Sequence, residues 1–374
     1  MRVMVVDDDP WLADLLKQLV LSKRPAAEVD CYGDVQSAYA GWQSSKYRLV
    51  LADWNLPGDS GLSLLQLIRK QDKETPLVMI TGRSDRDSVL AARPLAISAY
   101  ITKPFEVPKV LECLERLLPQ DSTPKPEEHG HEDLDSFLAN RSTAELDLPM
   151  LARVKERLML IRDGVPLDFR ELTEDWQHDP ALCAYLISAA NSALYGGVGQ
   201  SCTSLADALK RLGGHTSLNL AIGLALRQAC RQEEPLLAIF LQEHLEASER
   251  MAEKVVQLAR QCGVEHGALQ VAALLHRMGE LCVLLQAQVW VERGNPLDDN
   301  AVVQAVDRYA RTFAIALKAH WGLPMALREL IGAAYALPQV QVHREQALMR
   351  LAAALCGNEP AATIERLKRL AGVD

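Results

Sequence analysis

The feature that most constrains the fold of this chain is a change in hydrophobic periodicity near residue 120. Before it, short β-branched runs such as RVMVV and PLVMIT alternate with amphipathic stretches such as WLADLLKQLVL. Short apolar runs between helical periods indicate βαβ units, in which helices cover both faces of a parallel sheet. After it, the apolar spacing stays helical, with start and stop signals for roughly ten helices and no convincing strand. The sequence therefore predicts an α/β half followed by an all-α half.

The boundary between the halves is a stretch rich in proline and acidic residues. We predict an α/β domain over 1–119, a linker over 120–147 and a helical domain over 148–374. Gln120–Asp135 has little to bury, as expected of a linker. The apolar spacing of Leu134, Phe137 and Leu138 predicts a short connecting helix at its end. The HGHED segment within it is interpreted as a solvated loop rather than a metal-binding patch.

Composition excludes several classes of partner and location. The 374 residues carry a net charge of -9 and hold no basic tract, so nucleic acid is not the expected partner. The eight cysteines are scattered singly, without C-x-x-C or zinc-ligand spacing, which favours reduced thiols in the cytoplasm. No signal-peptide pattern and no charge-free stretch of about 18 residues is present. We therefore expect a cytoplasmic protein with no membrane association.

Acidic, hydroxyl and ammonium side chains stand at the ends of the predicted strands. They are Asp7, Asp8, Asp53, Thr81 and Lys103. Because ligand sites of open α/β sheets form at the carboxyl ends of the strands, these side chains are expected to meet in one cleft. Three carboxylates so close together repel each other unless a cation lies between them. Mg²⁺ prefers oxygen ligands and is therefore the expected cation.

The same residues predict a phosphoryl-transfer chemistry. With the metal in place, Asp53 can act as a nucleophile and become an aspartyl-phosphate. Lys103 supplies a positive charge and Thr81 a hydroxyl to the phosphoryl oxygens, so that transfer depends on positioning and charge neutralisation. The Lys103–Pro104 bond is a candidate cis peptide that would aim the lysine inward.

This pattern resembles the receiver domain of two-component response regulators over residues 2 to about 119. The resemblance rests on a set of motifs in the family's order: Asp7-Asp8, Asp53 with its D-x-x-x-P turn, Thr81-Gly82, Tyr100 and Lys103-Pro104-Phe105. It implies a five-stranded flavodoxin-like sheet and a phosphodonor that is a histidine kinase or a histidine phosphotransfer protein. It further implies that Asp8, Asp53 and the backbone carbonyl of Asn55 hold Mg²⁺, with Asp7 acting through water. Thr81 and Tyr100 would then form the switch pair that alters the face around the fifth strand.

The helical half resembles the HDOD domain, a relative of the HD phosphohydrolases. The resemblance rests on stretches that occur in order: LPMLARVKERL, DPALCAYLISAANSALYG, SLADALKRLGG, LLHRMGEL and WGLPMAL. The Asn191-Ser192 pair, at the end of a predicted helix, is interpreted as a hydrogen-bonding device rather than a binding site.

A catalytic metal centre in this half would need several converging His and Asp ligands. His244 and His276 are the only histidines at the family's ligand positions, and Arg277 stands where the adjoining Asp would be. A guanidinium repels the cation that this Asp would bind. By counting without gaps, the later ligand positions fall at Ala310 and at Ala334-Tyr335. We therefore expect no metal cofactor here.

Further expectations concern the side chains of this degenerate site. His276 is interpreted as a core histidine that hydrogen-bonds to a neighbour. Arg277 is expected to pair with an acid such as Glu280, three residues later on the same helix.

The sequence thus predicts a response regulator of a two-component phosphorelay. Phosphorylation of Asp53 would shift a catalytically inactive HDOD domain between two arrangements and so control binding to an unidentified signalling protein. Homodimerisation is compatible with either half. The enzyme alternative is a metal-dependent phosphodiesterase that acts on a cyclic dinucleotide, and the binding alternative is a nucleotide- or nucleic-acid-binding regulator.

Overall fold

A computed structural model describes residues 1–82, 95–118, 133–162, 169–196, 200–229, 234–297, 299–339 and 341–373. The chain forms two compact units. The first comprises Met1–Glu127, Glu156–Pro166 and His215–Ala229, and the second comprises Glu128–Lys155, Leu167–Gly214 and Cys230–Asp374. The HGHED segment lies outside the described residues except for Asp133, which caps the next helix.

The first unit is built on a five-stranded parallel sheet. Its strands are β1 (Arg2–Val6), β2 (Glu28–Tyr32), β3 (Leu49–Asp53), β4 (Leu77–Thr81) and β5 (Ala99–Thr102). Their spatial order is β2-β1-β3-β4-β5, and every neighbouring pair is parallel. All residues of β3 and β4 are buried, as expected of central strands with covered faces. The predicted flavodoxin-like sheet is confirmed.

Four described helices accompany this sheet: α1 (Pro10–Lys23), α2 (Val35–Ser44), α3 (Gly61–Gln71) and α4 (Val107–Leu117). Each of the first three follows a capping residue whose side chain accepts hydrogen bonds from backbone N–H groups of the first turn; these residues are Asp9, Asp34 and Ser60. Such caps satisfy donors that have no partner inside the helix. Because they follow the strands directly, the helix starts lie at the edge of the sheet where the acidic residues stand.

The rest of the described chain is helical. Its helices are α5 (Leu134–Ala139), α6 (Ala152–Arg162), α7 (Phe169–Trp176), α8 (Pro180–Asn191), α9 (Leu205–Leu212), α10 (Gly214–Ala229), α11 (Pro235–Gln261), α12 (Gly267–Leu274), α13 (Met278–Glu292), α14 (Asp299–His320), α15 (Met325–Ala333), α16 (Arg344–Cys356) and α17 (Ala361–Ala371). The all-α prediction is confirmed, and α5 is the helix expected from Leu134, Phe137 and Leu138. Twelve helices of the described chain lie beyond residue 148, against roughly ten counted from start and stop signals.

The predicted helix signals act as expected. Asp179 caps α8, with its side chain accepting from Leu182 N, and Pro180 is the first helical residue. Ser204 caps the start of α9, and Gly213 follows its last residue with a φ of 76°, which favours glycine. The Asn191 side chain accepts from Cys202 N at 2.8 Å and donates to Cys202 O at 2.9 Å. It therefore ties the end of α8 to the segment before α9.

Helix α10 packs within the first unit, although it lies in the helical half of the sequence. Its Gly223 lies against Leu15 of α1, and Arg227 forms an ion pair with Asp14 at 2.6 Å. Asn219 donates to the backbone carbonyl of Phe105 at 3.2 Å. Apolar spacing could not assign α10 to this unit, because it identifies a buried face but not the surface that covers it.

Within the described residues, no single helix is long and apolar enough to cross a membrane. Helices α12 and α13 reach that length and apolar character only when they are taken together, and a bend of 42° separates them. Most of their residues are buried inside the second unit.

Candidate functional site

Three carboxylates meet at the carboxyl edge of the sheet. Asp7 and Asp8 follow β1, and Asp53 ends the neighbouring strand β3. Their oxygens lie within 4.8 Å of one another. Asp7 is 2% exposed and Asp53 is 5% exposed, whereas Asp8 is open to solvent. The cluster is thus a half-sheltered acidic site with one open side.

Lys103 enters this cluster from the end of β5. Its backbone N–H donates to Thr81 O at 2.7 Å, which continues the pairing of β4 with β5 beyond the strand end. Its ammonium lies 2.8 Å from Asp7 Oδ2 and 3.3 Å from Asp53 Oδ2. The Lys103–Pro104 bond is cis, as predicted. Lys103 therefore pairs with Asp7 and Asp53 at the same time.

Burial and charge act in opposite directions on these groups. Burial raises the pKa of Asp7 to about 6, although the Lys103 ammonium partly opposes it. Burial likewise raises the pKa of Asp53, again against the effect of Lys103. Burial alone would lower the pKa of Lys103, but the charges of Asp7 and Asp53 outweigh it and the pKa lies above its usual value. One lysine therefore does not fully compensate the buried acids.

The carboxylates fit a divalent cation. Asp53 Oδ1 is buried and has no hydrogen-bond partner among the described residues. An unpaired buried oxygen is costly, and its presence beside two further carboxylates indicates a site for a positive ligand. Oxygen donors of this kind are those that Mg²⁺ prefers. Asp7, Asp8 and Asp53 form the one group of three or more possible metal-ligating side chains found in the part of the chain that the structure describes.

The other predicted residues of this half lie around the cluster. Thr81 is fully buried at the end of β4, and Tyr100 on β5 is partly buried against the core. Asn55 lies in the loop after Asp53, where it forms a bridge with Ser60 just before α3. Thr81 pairs with Thr102 and Met79 with Tyr100. The two switch candidates thus stand on adjacent strands.

A second constellation lies in the helical unit, where His244 of α11 meets the break between α12 and α13. Arg277 donates from Nη1 to His244 Nδ1 at 2.8 Å. His276 donates from Nδ1 to Ala273 O at 2.6 Å. Burial, reinforced by the Arg277 charge, lowers the pKa of His244 to about 4. Burial also lowers the pKa of His276 to about 4, even though its bond to Ala273 O opposes this. Both imidazoles are therefore neutral near pH 7.

The positions found by gapless counting lie beside these residues. Tyr335 donates its hydroxyl to the backbone carbonyl of His276. Ala310 of α14 lies directly against Gly279, two residues after Arg277, and lines the same cavity as His276. The described residues thus bring two histidines, an arginine, an alanine and a tyrosine together.

One expectation about this site is wrong. Arg277 was expected to pair with Glu280, but no ion pair within 4 Å joins them in the described structure, and Arg277 binds His244 instead. Burial raises the pKa of Glu280, which the Arg277 charge only partly opposes. Spacing along one helix could not predict this outcome, because Arg277 precedes α13 and the side chain of another helix is closer.

Sequence reasoning also passed over Arg250, which lines a cavity with Arg277 and Tyr335. The spacing of Glu246 and Arg250 on α11 is typical of a solvated surface pair, and the two do lie 3.6 Å apart. The available signal was its place on the same helix as His244, less than two turns further on.

The sheet with its acidic edge and lysine is of the receiver type, and a helical domain follows it in the chain. The family model of the response regulator receiver domain matches residues 3–115. The model of the HDOD domain matches residues 148–337, which is just over half of the chain. The chain belongs to the HDOD domain family and carries an N-terminal receiver domain.

Known proteins match the receiver part. The chemotaxis protein CheY of Pseudomonas aeruginosa is 29% identical over 121 residues, which are 31% of this chain and 95% of that protein. The regulatory protein VanRB of Enterococcus faecalis is 32% identical over 31% of this chain and 52% of its own length. The chain thus spans about half of VanRB. Among solved structures, the response regulator TrrA of Thermotoga maritima, in complex with Mg²⁺ and BeF, is 32% identical, with a TM-score of 0.28 over 31% of this chain and 98% of that one.

Proposed function

We propose that this protein is a response regulator in which phosphorylation of Asp53 controls an HDOD output domain that acts by binding another protein. The observation that carries the proposal is the contact of Lys103 with both Asp7 and Asp53, beside a buried Asp53 oxygen that has no partner in the described structure. The family assignment makes the chain part of a two-component system.

The chemistry at Asp53 is a phosphoryl transfer from a phosphohistidine of a kinase or phosphotransfer protein. The bond between phosphorus and the donor nitrogen breaks, and a bond to a carboxylate oxygen of Asp53 forms. Lys103 neutralises charge on the phosphoryl oxygens, and Thr81 offers its hydroxyl to them. Asp7, Asp8, Asp53 and the carbonyl of Asn55 would hold Mg²⁺, which supplies further charge neutralisation when bound.

The signal then passes to the rest of the chain as a shift between two populated states. A phosphoryl group on Asp53 draws the Lys103 ammonium away from Asp7. Phe105 belongs to the same segment of the chain, two residues after Lys103. The bond from Asn219 to the Phe105 carbonyl and the Arg227–Asp14 pair give α10 a direct connection to this receiver surface. These contacts support α10 as an element that senses the state of Asp53.

We further propose that the HDOD part performs no metal-dependent hydrolysis. The Arg277 guanidinium donates to His244 Nδ1, an atom that a metal ion would otherwise use. The competing function is a phosphodiesterase for a cyclic dinucleotide. It predicts metal that copurifies with the chain and hydrolysis that is lost in His276→Ala.

A comparative capture tests the output. The full chain is immobilised and loaded with Mg²⁺ and beryllofluoride, a mimic of the phosphoryl group. It is then incubated with native lysate, and Asp53→Ala is treated identically. We expect one protein set to be retained by one of the two states, because only the wild-type chain binds the mimic. A matched control, Asp59→Ala, removes an exposed acid of the loop after Asp53 and should behave as wild type.

Equal captures from wild type and Asp53→Ala would contradict phosphorylation-controlled binding. Retention that is lost in Asp59→Ala as well would show a general effect of charge rather than of the phosphoacceptor. Hydrolysis of a cyclic dinucleotide by metal-loaded wild type would instead favour the enzyme.

A further inference from the structure

A small cavity beside the degenerate HD centre has a charge that its own residues do not balance. The cavity measures about 290 Å³ and is lined by Arg250 and Met251 of α11, by His276 and Arg277, and by Tyr335. It lies wholly within the second unit. Residues at the ends of α15 and α16 also line it.

Two of the cations around this cavity have an acidic partner, and one does not. Glu359, which also lines it, forms an ion pair with Arg350 at 2.9 Å. Arg250 has Glu246 at 3.6 Å, a loose pair in which both side chains are more than half exposed. Arg277 has no carboxylate within 4 Å among the described residues, and its hydrogen bond is to the neutral His244. The partly buried guanidinium of Arg277 therefore has no carboxylate in direct contact within the described residues.

A sheltered cation without a counter-charge is unfavourable, because desolvation is not offset by a partner. Neither histidine changes this balance near pH 7, since both are neutral. Glu280 does not line this cavity and makes no ion pair with Arg277 within 4 Å in the described structure. The charged residues that line the cavity are Arg250, Arg277 and Glu359, so the lining has a net positive charge that an anionic ligand would neutralise.

The hydrogen-bonding groups of the cavity suit an oxyanion. A guanidinium presents several donors in one plane, and one of those on Arg277 is already used by His244. The remaining donors are able to bind two of the oxygens of a phosphate group, and such charge-assisted bonds are strong. Arg250, which also lines the cavity, adds a second guanidinium. The volume is at the lower end of that of small-molecule sites, too small for a dinucleotide.

We propose that this cavity binds a small phosphate monoester, with Arg277 as its principal contact and Arg250 as the second cation. The site makes the degenerate HD centre a ligand sensor in the output domain. It goes beyond the function proposed above and does not depend on Asp53. The ligand would act by stabilising the chain segment of His276 and Arg277 between α12 and α13.

Calorimetric titration of the full chain with inorganic phosphate and with glycerol phosphate tests this. The parent for all titrations is Asp53→Ala in EDTA, so that the receiver site contributes nothing. We expect saturable binding to one site, weakened about tenfold or more by Arg277→Gln, because a charge-assisted pair is lost. Arg277→Lys, which keeps the charge without the planar donors, should bind with intermediate affinity.

The matched control is Arg311→Gln. Arg311 also lacks an ion pair within the described chain, but it lines the neighbouring cavity that contains Glu280 and Lys318 rather than this one. Its affinity should stay within about twofold of the parent, since no contact to the ligand is removed. Thermal unfolding of each variant shows whether it is folded.

Absence of saturable binding by the folded parent at about 10 mM phosphate would overturn the proposal. Equal affinities of the parent and a folded Arg277→Gln would overturn it as well. If Arg277→Gln fails to fold, Arg277→Lys and Arg250→Gln test the proposal instead. Unchanged phosphate affinity in both variants would exclude this cavity as the binding site.

Discussion

Asp53→Asn should abolish covalent phosphorylation of the full chain by a small phosphodonor such as acetyl phosphate. The amide has the size of the carboxylate but is not a competent nucleophile, and it removes one of the three acids of the cluster. We expect incorporation to fall to background on a phosphate-affinity gel. Residual rates should be lower by a factor of about 10³ or more.

Two control variants show whether the loss of phosphorylation is specific to Asp53. Asp8→Asn keeps the phosphoacceptor but weakens the acidic cluster, so it should slow incorporation and raise the Mg²⁺ concentration needed. Asp59→Asn should leave the rate unchanged, because this side chain is exposed in the loop after Asp53. Full incorporation in Asp53→Asn would place the acceptor elsewhere and contradict the account of the site.

Gly61→Ala should have the largest effect on stability among conservative changes near the site. Gly61 begins α3, and its N–H donates to Trp54 O at 2.9 Å. An added methyl group would lie far inside van der Waals contact of the Asp53 carbonyl oxygen, which is backbone and cannot turn away. We expect the receiver to lose about 3 kcal/mol, at the upper end of overpacking effects. Urea unfolding of the variant measures this loss.

The same variant should also impair phosphorylation, because relief of the clash must move the strand end that carries Asp53. Gly33→Ala is the matched control, since a methyl group there would meet nothing within 4 Å. Its stability should stay within about 0.5 kcal/mol of wild type. Equal stability of Gly61→Ala and Gly33→Ala would contradict the close approach of α3 to Asp53.

The sheet and its acidic edge were predictable because each follows from local pattern. Buried apolar runs identify the strands, and the parallel arrangement brings residues that follow them, such as Asp7 and Asp53, to one edge. The pattern could not give the distance of Lys103 from two acids at once. That distance depends on the backbone pairing of Lys103 with Thr81 beyond the strand end.

In the helical half, the sequence predicted the helices but not which side chains of different helices contact each other. Apolar spacing identifies the buried face of α11, yet the contact of Arg277 with His244 spans 33 residues and depends on how helices pack. For the same reason Arg277 was assigned to Glu280, a neighbour in sequence. The packing of α10 against Leu15 could not be predicted from the sequence either. A glycine within a helix, such as Gly223, does not identify the side chain that packs on it.

The most direct test of the central claim is hydrogen exchange of the full chain with Mg²⁺ alone and with Mg²⁺ and beryllofluoride. Exchange reports local opening free energies along the whole chain, so it needs no knowledge of the partner. We expect the mimic to change protection within residues 148–337, α10 included, in wild type but not in Asp53→Asn. A change confined to residues 1–119 would contradict control of the HDOD domain by the receiver.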